Sequence, residues 1–294
     1  MVNLGKVLTA MVTPFKADMS VDWKRVEELA DYLAKNGSEG LVVHGTTGES
    51  PTLTHEEEYE LYRVVKKAVG GKCKIIAGTG SNSTETSVKS TREAEKIGVD
   101  GIMIVVPYYN KPSPEGLYQH YKTISESTGL PIIIYNIPGR TGINMLPETT
   151  ARIAGLKNIA GLKDAAGNLD QTSATRSLCP KDFVIWSGDD SLTLPMLSVG
   201  AIGVISVASH IVGKEIAQMV NAYHTGDVKK ATEIHLKLLP LFKVLFITSN
   251  PSPLKYALEL IGQPAGKPRL PLVEPSDKEK EAIKKVLKDL RLIG

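Results

Sequence analysis

Cysteine is nearly absent: Cys73 and Cys179 are the only two in 294 residues, and they form no CxxC pair. That excludes a disulfide scaffold and fits a reducing compartment, with both thiols as small core or surface residues. The six histidines are dispersed and make no His-x-x-x-His pair, so no metal centre is expected. A Gly-x-Ser-x-Gly nucleophile elbow is missing as well. No apolar run is long enough to span a bilayer. The opening segment Met1–Met11, with one early lysine, reads as a first strand rather than a signal peptide. Neither sign of charge dominates: 35 basic and 32 acidic residues leave a net +3, spread along the chain. No clustered basic face is offered to nucleic acid. These absences leave a soluble protein, expected in the cytoplasm.

What is present is a rhythm. Short Val/Ile-rich runs recur at Val7–Val12, Gly40–Val43, Lys74–Ala77, Gly101–Val105, Ile132–Tyr135, Ile159–Lys163, Phe183–Ser187 and Gly203–Val207. Their brevity and branching favour buried parallel strands. Between them lie helix signals: a capping box at Thr54–Glu57 leading to Gly70-Gly71, helical spacing over Glu85–Ile97 with a stop at Gly98, and a start at Pro147-Glu148. About eight such units, at a repeat of roughly 25–30 residues, point to a closed (β/α)8 TIM barrel. An open doubly wound sheet uses the same alternation, and the count favours the barrel. Residues 1–226 are taken as the barrel. Residues 227–294 lose the strand pattern and read as a C-terminal helical extension packed on it. There Val228–Phe246 contains Pro240, expected as a kink, Pro253–Ile261 is a second helix, and Gly262–Pro275 is an ordered loop. A capping box at Ser276–Glu279 opens the last helix.

In such a barrel, polar residues at the carboxyl ends of strands build the active site. Lys6 and Lys74 open strands and read as solvated bases, whereas Lys163 closes one. Burial there would disfavour the ammonium and leave an amine able to attack a ketone carbonyl. A salt-bridged strand-end lysine has the same position, and position alone does not choose between them. Tyr135 ends the neighbouring strand and could shuttle protons, or serve only as an amphipathic rim residue. The Gly45-Thr46-Thr47-Gly48-Glu49-Ser50 loop offers backbone N–H groups and two hydroxyls to a small carboxylate. It lacks the Lys-Ser/Thr of a phosphate loop. Gly78-Thr79-Gly80 is a weaker match and reads as a turn. Arg140, in Pro138-Gly139-Arg140-Thr141-Gly142, is placed to hold a second carboxylate or to stay on the surface. Tyr108 and Tyr109 form an aromatic pair of the kind that packs at interfaces.

Taken together, Gly45–Ser50, Pro107–Asn110, Glu115–His120, Tyr135–Gly142 and Gly188-Asp189-Asp190 resemble the pyruvate-dependent aldolase and lyase superfamily that includes N-acetylneuraminate lyase. More closely, they resemble its dihydrodipicolinate synthase family, over essentially the whole chain. The resemblance implies a class I aldolase-like lyase of lysine and diaminopimelate biosynthesis, joining pyruvate to L-aspartate 4-semialdehyde with no cofactor beyond the covalent Schiff base. It implies that Lys163 forms the imine, with a proton relay of Tyr135, Thr46 and Tyr109, the last from a neighbouring subunit of a homotetramer. It further implies that Thr46 and Thr47 hold the pyruvate carboxylate, that Gly188 and the Ile205 carbonyl line the pocket, and that Arg140 binds the semialdehyde carboxylate.

Two departures stand out. The family's Gly-Ile-Lys-Glu-Ala-Thr-Gly-Asn is here Gly161-Leu162-Lys163-Asp164-Ala165-Ala166-Gly167-Asn168, which implies tuning rather than loss. Ser50, His55, Asn82 and Tyr108 match a lysine-effector site, but Glu58 stands where inhibited members often have His, and Thr86 where they have Glu. Weak or absent lysine inhibition is therefore expected. The competing readings are a lyase of sialic or 2-keto-3-deoxy sugar acids, and a barrel that only binds a keto acid.

Overall fold

The computed structural model describes residues 3–294; Met1 and Val2, the start of the expected first-strand run, lie outside them. Eight strands form: β1 (Val7–Ala10), β2 (Gly40–Val43), β3 (Lys74–Gly78), β4 (Gly101–Val105), β5 (Ile132–Asn136), β6 (Ile159–Asp164), β7 (Val184–Ser187) and β8 (Gly203–Ser206). Each pairs in parallel with its sequence neighbours, and β1 also pairs with β8. That closure excludes the open sheet, which would leave two unpaired edges.

Side chains alternate along the strands and split the core in two. Inward residues, among them Leu8, Val42, Ile76, Met103, Ile133, Trp186 and Ile205, fill the barrel. Outward residues such as Leu41, Ile75, Ile102, Ile134 and Ile185 pack under the helices. The helix signals act where expected. Thr54 accepts from the Glu57 N–H while the Glu57 carboxylate accepts from the Thr54 N–H, opening helix His55–Val69. Gly98, at φ 82°, closes helix Thr84–Ile97 in a left-handed turn that favours glycine. Both cysteines are buried, and burial pushes their thiols up to about 12 for Cys73 and about 11 for Cys179. Neither is a thiolate near neutral pH.

Beyond the barrel, helix Val228–Val244 continues through Pro240 as one element. The non-helical backbone falls instead at Val212, inside helix Ser209–His224. Helix Ser252–Leu260 and helix Asp277–Asp289 follow, the latter opened by the Ser276–Glu279 capping box. The segment between them lies on the barrel mouth. Phe15 donates its N–H to the Ala265 carbonyl at 3.1 Å, and Arg269 pairs with Glu57 at 2.6 Å. Among the described residues, no helix is long and apolar enough to cross a membrane.

Candidate active site

Strand parity decides what faces the barrel mouth. Ile133 and Tyr135 point inward on β5, and on β6 Leu162 packs outward, which turns Lys163 in. The β5–β6 register shifts near its start: Ile132 faces Ile159, yet Ile133 faces Gly161, so Ala160 is an extra residue in β6. Past this bulge Tyr135 stands directly opposite Lys163. Gly161 lies one inward step below the lysine. A Cβ there would meet the Trp186 ring at 2.9 Å and press on the Val184 carbonyl, so the close approach of β6 and β7 requires glycine.

The Lys163 amine sits 4.1 Å from the centroid of the Tyr135 ring. Burial holds its pKa down to about 7, with the Asp190 carboxylate opposing the drop and the Arg140 charge adding to it. Burial also pushes the Tyr135 phenol up to about 12, against the downward pull of Arg140 and of the Thr46 hydroxyl that reaches it. Near neutral pH the site therefore holds an amine that is substantially uncharged beside a phenol that keeps its proton. A nucleophile thus lies over the ring of a side chain that carries a proton donor.

Thr46 and Tyr135 share the wall of a small inner cavity of about 30 Å³. A larger one, about 420 Å³, is lined by Thr46, Ser50, His55, Glu58, Tyr108 and Arg140, among others. Lys163 is on neither wall, and the Tyr135 ring links it to the small inner cavity. Arg140 comes from the short helix Pro138–Thr141 and donates to the Asn250 carbonyl at 3.4 Å. Thr47 is buried, its hydroxyl accepting from the Asn250 amide at 2.9 Å. Gly188 follows β7 and donates its N–H to the Asp164 carbonyl at 2.7 Å, while Ile205 lies in β8.

Two expected site residues stand apart. Tyr109 is 87% exposed, with φ 74°, so within one chain it projects into solvent. Asn82 is not on the wall that holds Ser50, His55 and Tyr108; its carbonyl accepts from the Asn110 amide at 2.9 Å. On that wall Glu58 restores the carboxylate that Thr86 lacks, but both of its oxygens already have partners. One lies 2.8 Å from His55 Nδ1 and accepts from Ser90 at 3.3 Å, and the other accepts from Tyr62 at 3.0 Å. Among the described residues, no group of three or more His, Cys, Asp or Glu side chains is placed to hold a metal ion.

Two residues at the mouth carried no role from sequence. Buried Asp190 accepts from the Val207 and Ala208 N–H groups, both at 3.0 Å, and also from the Ser206 hydroxyl, which fixes the end of β8. Its position in Gly188-Asp189-Asp190, just past a strand, was the available signal. Asn250 had none, because it lies in the extension, 203 residues from the Thr47 it touches.

A buried lysine amine against a phenol at the mouth of a closed (β/α)8 barrel is an arrangement that suits a Schiff-base-forming lyase. The sequence matches the dihydrodipicolinate synthetase family over residues 3–290, and the chain belongs to that family. It is 55% identical over 293 residues to the 4-hydroxy-tetrahydrodipicolinate synthase of Desulforamulus reducens, covering 99% of each chain. Among solved structures it is similar to DHDPS from Cyanidioschyzon merolae with lysine bound, at TM-score 0.97 and 48% identity over 99% of both chains. It is also similar to a monomeric dihydrodipicolinate synthase variant, at TM-score 0.96 and 47% identity, covering 98% of this chain and 97% of that one.

Proposed function

We propose that the chain condenses pyruvate with L-aspartate 4-semialdehyde to give 4-hydroxy-tetrahydrodipicolinate, in lysine and diaminopimelate biosynthesis, through an imine on Lys163. The observation that carries this is the Lys163 amine, brought down to about 7 by burial and lying 4.1 Å from the Tyr135 ring, in a chain of this family.

The neutral amine attacks C2 of pyruvate, and the carbinolamine hydroxyl leaves as water with a proton delivered by Tyr135. Thr46, at the phenol, passes protons on. Tyr109, whose 87% exposure suits a residue that reaches a neighbouring subunit, completes the relay in a homotetramer. Thr46 and Thr47 hold the pyruvate carboxylate, and Gly188 and the Ile205 carbonyl line its pocket. The imine then loses a C3 proton, and the resulting enamine attacks the aldehyde carbon of the semialdehyde. Arg140 binds that substrate's carboxylate through its planar fork. The substrate amine finally displaces Lys163, closing the ring. The scheme uses no metal or organic cofactor, because the covalent bond to substrate supplies the electron sink.

The same reading takes 1–226 as the catalytic barrel, 227–294 as an extension built onto it, and the cytoplasm as its place. Lysine is a weak effector at Ser50, His55, Asn82 and Tyr108, since the buried Glu58 carboxylate is already engaged by Tyr62, Ser90 and His55. Substrate choice is tested by assaying condensation with aspartate semialdehyde beside cleavage of sialic and 2-keto-3-deoxy sugar acids. Condensation is expected to dominate, and turnover of sugar acids alone would overturn the assignment.

A further inference from the structure

The loop that carries Thr46 and Thr47 contains a residue in the left-handed region that is not glycine: Glu49, at φ 59°. Its N–H donates to the Thr46 carbonyl at 3.1 Å, so the conformation of Glu49 shapes the turn that presents both threonines. The side chain leaves the barrel for the extension. Glu49 Oε1 lies 2.6 Å from the Lys255 ammonium, with side-chain exposures of 1% and 2%. Apart from that ammonium, Oε1 has no hydrogen-bond partner. Glu49 Oε2 accepts the Arg269 N–H at 2.8 Å. Lys255 donates to the Lys267 carbonyl at 3.2 Å and stands 4.1 Å from the Phe15 ring centroid. Just upstream of the Lys255 helix, Asn250 donates to the Thr47 hydroxyl. Three points of the extension thus grip one six-residue loop.

A buried ion pair is a poor source of stability, because desolvating both charges offsets their attraction, and an apolar pair of similar volume often does as well. What the pair can do is select a single arrangement, since a slipped loop would leave a buried charge unmatched. We propose that Glu49 and Lys255 are positioning residues for pyruvate: their ion pair holds the Thr46–Thr47 loop in the shape that receives the keto acid carboxylate. The extension is then part of the substrate site. This rests on the pyruvate reading above.

The test is borohydride trapping of pyruvate on the full-length protein across pyruvate concentrations, which gives a half-saturating concentration and a rate at saturation. The double variant Glu49→Gln/Lys255→Met removes both charges and should fold, by circular dichroism and thermal melting. Its half-saturating pyruvate should rise about tenfold or more, as expected when hydrogen bonds to a charged carboxylate are lost. Its saturating rate should stay within about threefold of the parent. If the double variant does not fold, Glu49→Asp, which keeps the charge and draws it back by one methylene, reads the same quantity with the same expectation. A folded variant with parental half-saturation overturns the proposal, and so does a fall confined to the saturating rate. A parent protein that traps no pyruvate at all sinks the pyruvate reading instead, so the two failures are distinct.

Discussion

Replacing Lys163 by Met should make the protein more stable, and by an amount that depends on pH. Burial brings the amine from 10.5 to about 7, which corresponds to about 5 kcal/mol disfavouring the charged form in the folded state. Below pH 7 the folded chain carries the buried ammonium and the whole penalty. Between pH 7 and 10.5 the unfolded chain holds a proton on this amine that the folded chain has released. Stability of the parent therefore rises with pH across that window. Above 10.5 both states are neutral and the penalty is gone. Methionine has a similar length and no charge, so Lys163→Met removes the penalty while filling the same space. The variant should be more stable by several kcal/mol at pH 6, with about 5 as the ceiling, and the advantage should shrink toward zero by pH 10 to 11. Urea unfolding of both proteins over that pH range, at one fixed protein concentration, measures the difference. A stability difference that stays constant with pH, or a variant less stable at pH 6, would refute the claim that a buried, destabilised amine sits at the barrel mouth.

Three further outcomes follow from the same geometry. Tyr135→Phe keeps the ring under Lys163 and removes the proton donor, so pyruvate trapping should slow by about 10²–10⁴-fold with little change in half-saturation; an unchanged rate contradicts the shuttle. Arg140→Ala should raise the KM for aspartate semialdehyde by about ten- to a hundredfold, as expected for loss of a charge-assisted carboxylate contact. Pyruvate trapping in that variant should persist, and an unaltered KM removes Arg140 from the second-substrate site. In a lysine titration of the condensation, inhibition should be absent or weak, and half-inhibition well below millimolar would show that Glu58 does not close the effector site.

Much of the barrel was legible because its signals are local. Strands such as Gly40–Val43 and Gly101–Val105 are short branched runs that read as strands wherever they occur. Capping boxes at Thr54 and Ser276 need only four residues each to declare a helix start. Lys163 and Tyr135 were picked out by their places at strand carboxyl ends, and the register puts them side by side. The rest depends on contacts that no local pattern encodes. Asn250 meets Thr47, and Lys255 meets Glu49, across some two hundred residues of chain. Asp190 carried no role in the sequence because the groups that hold it, at the end of β8, lie 17 and 18 residues further along the chain. Tyr109 is the opposite case: its motif was conspicuous, but a single chain leaves it in solvent.

The proposed function turns on covalent attachment of pyruvate to Lys163. Incubation with pyruvate and borohydride, followed by peptide mass spectrometry, measures it directly. One reduced pyruvate adduct per chain is expected, on the peptide bearing Lys163, and none in Lys163→Met. No adduct, or an adduct on another lysine with Lys163 unmodified, would contradict it.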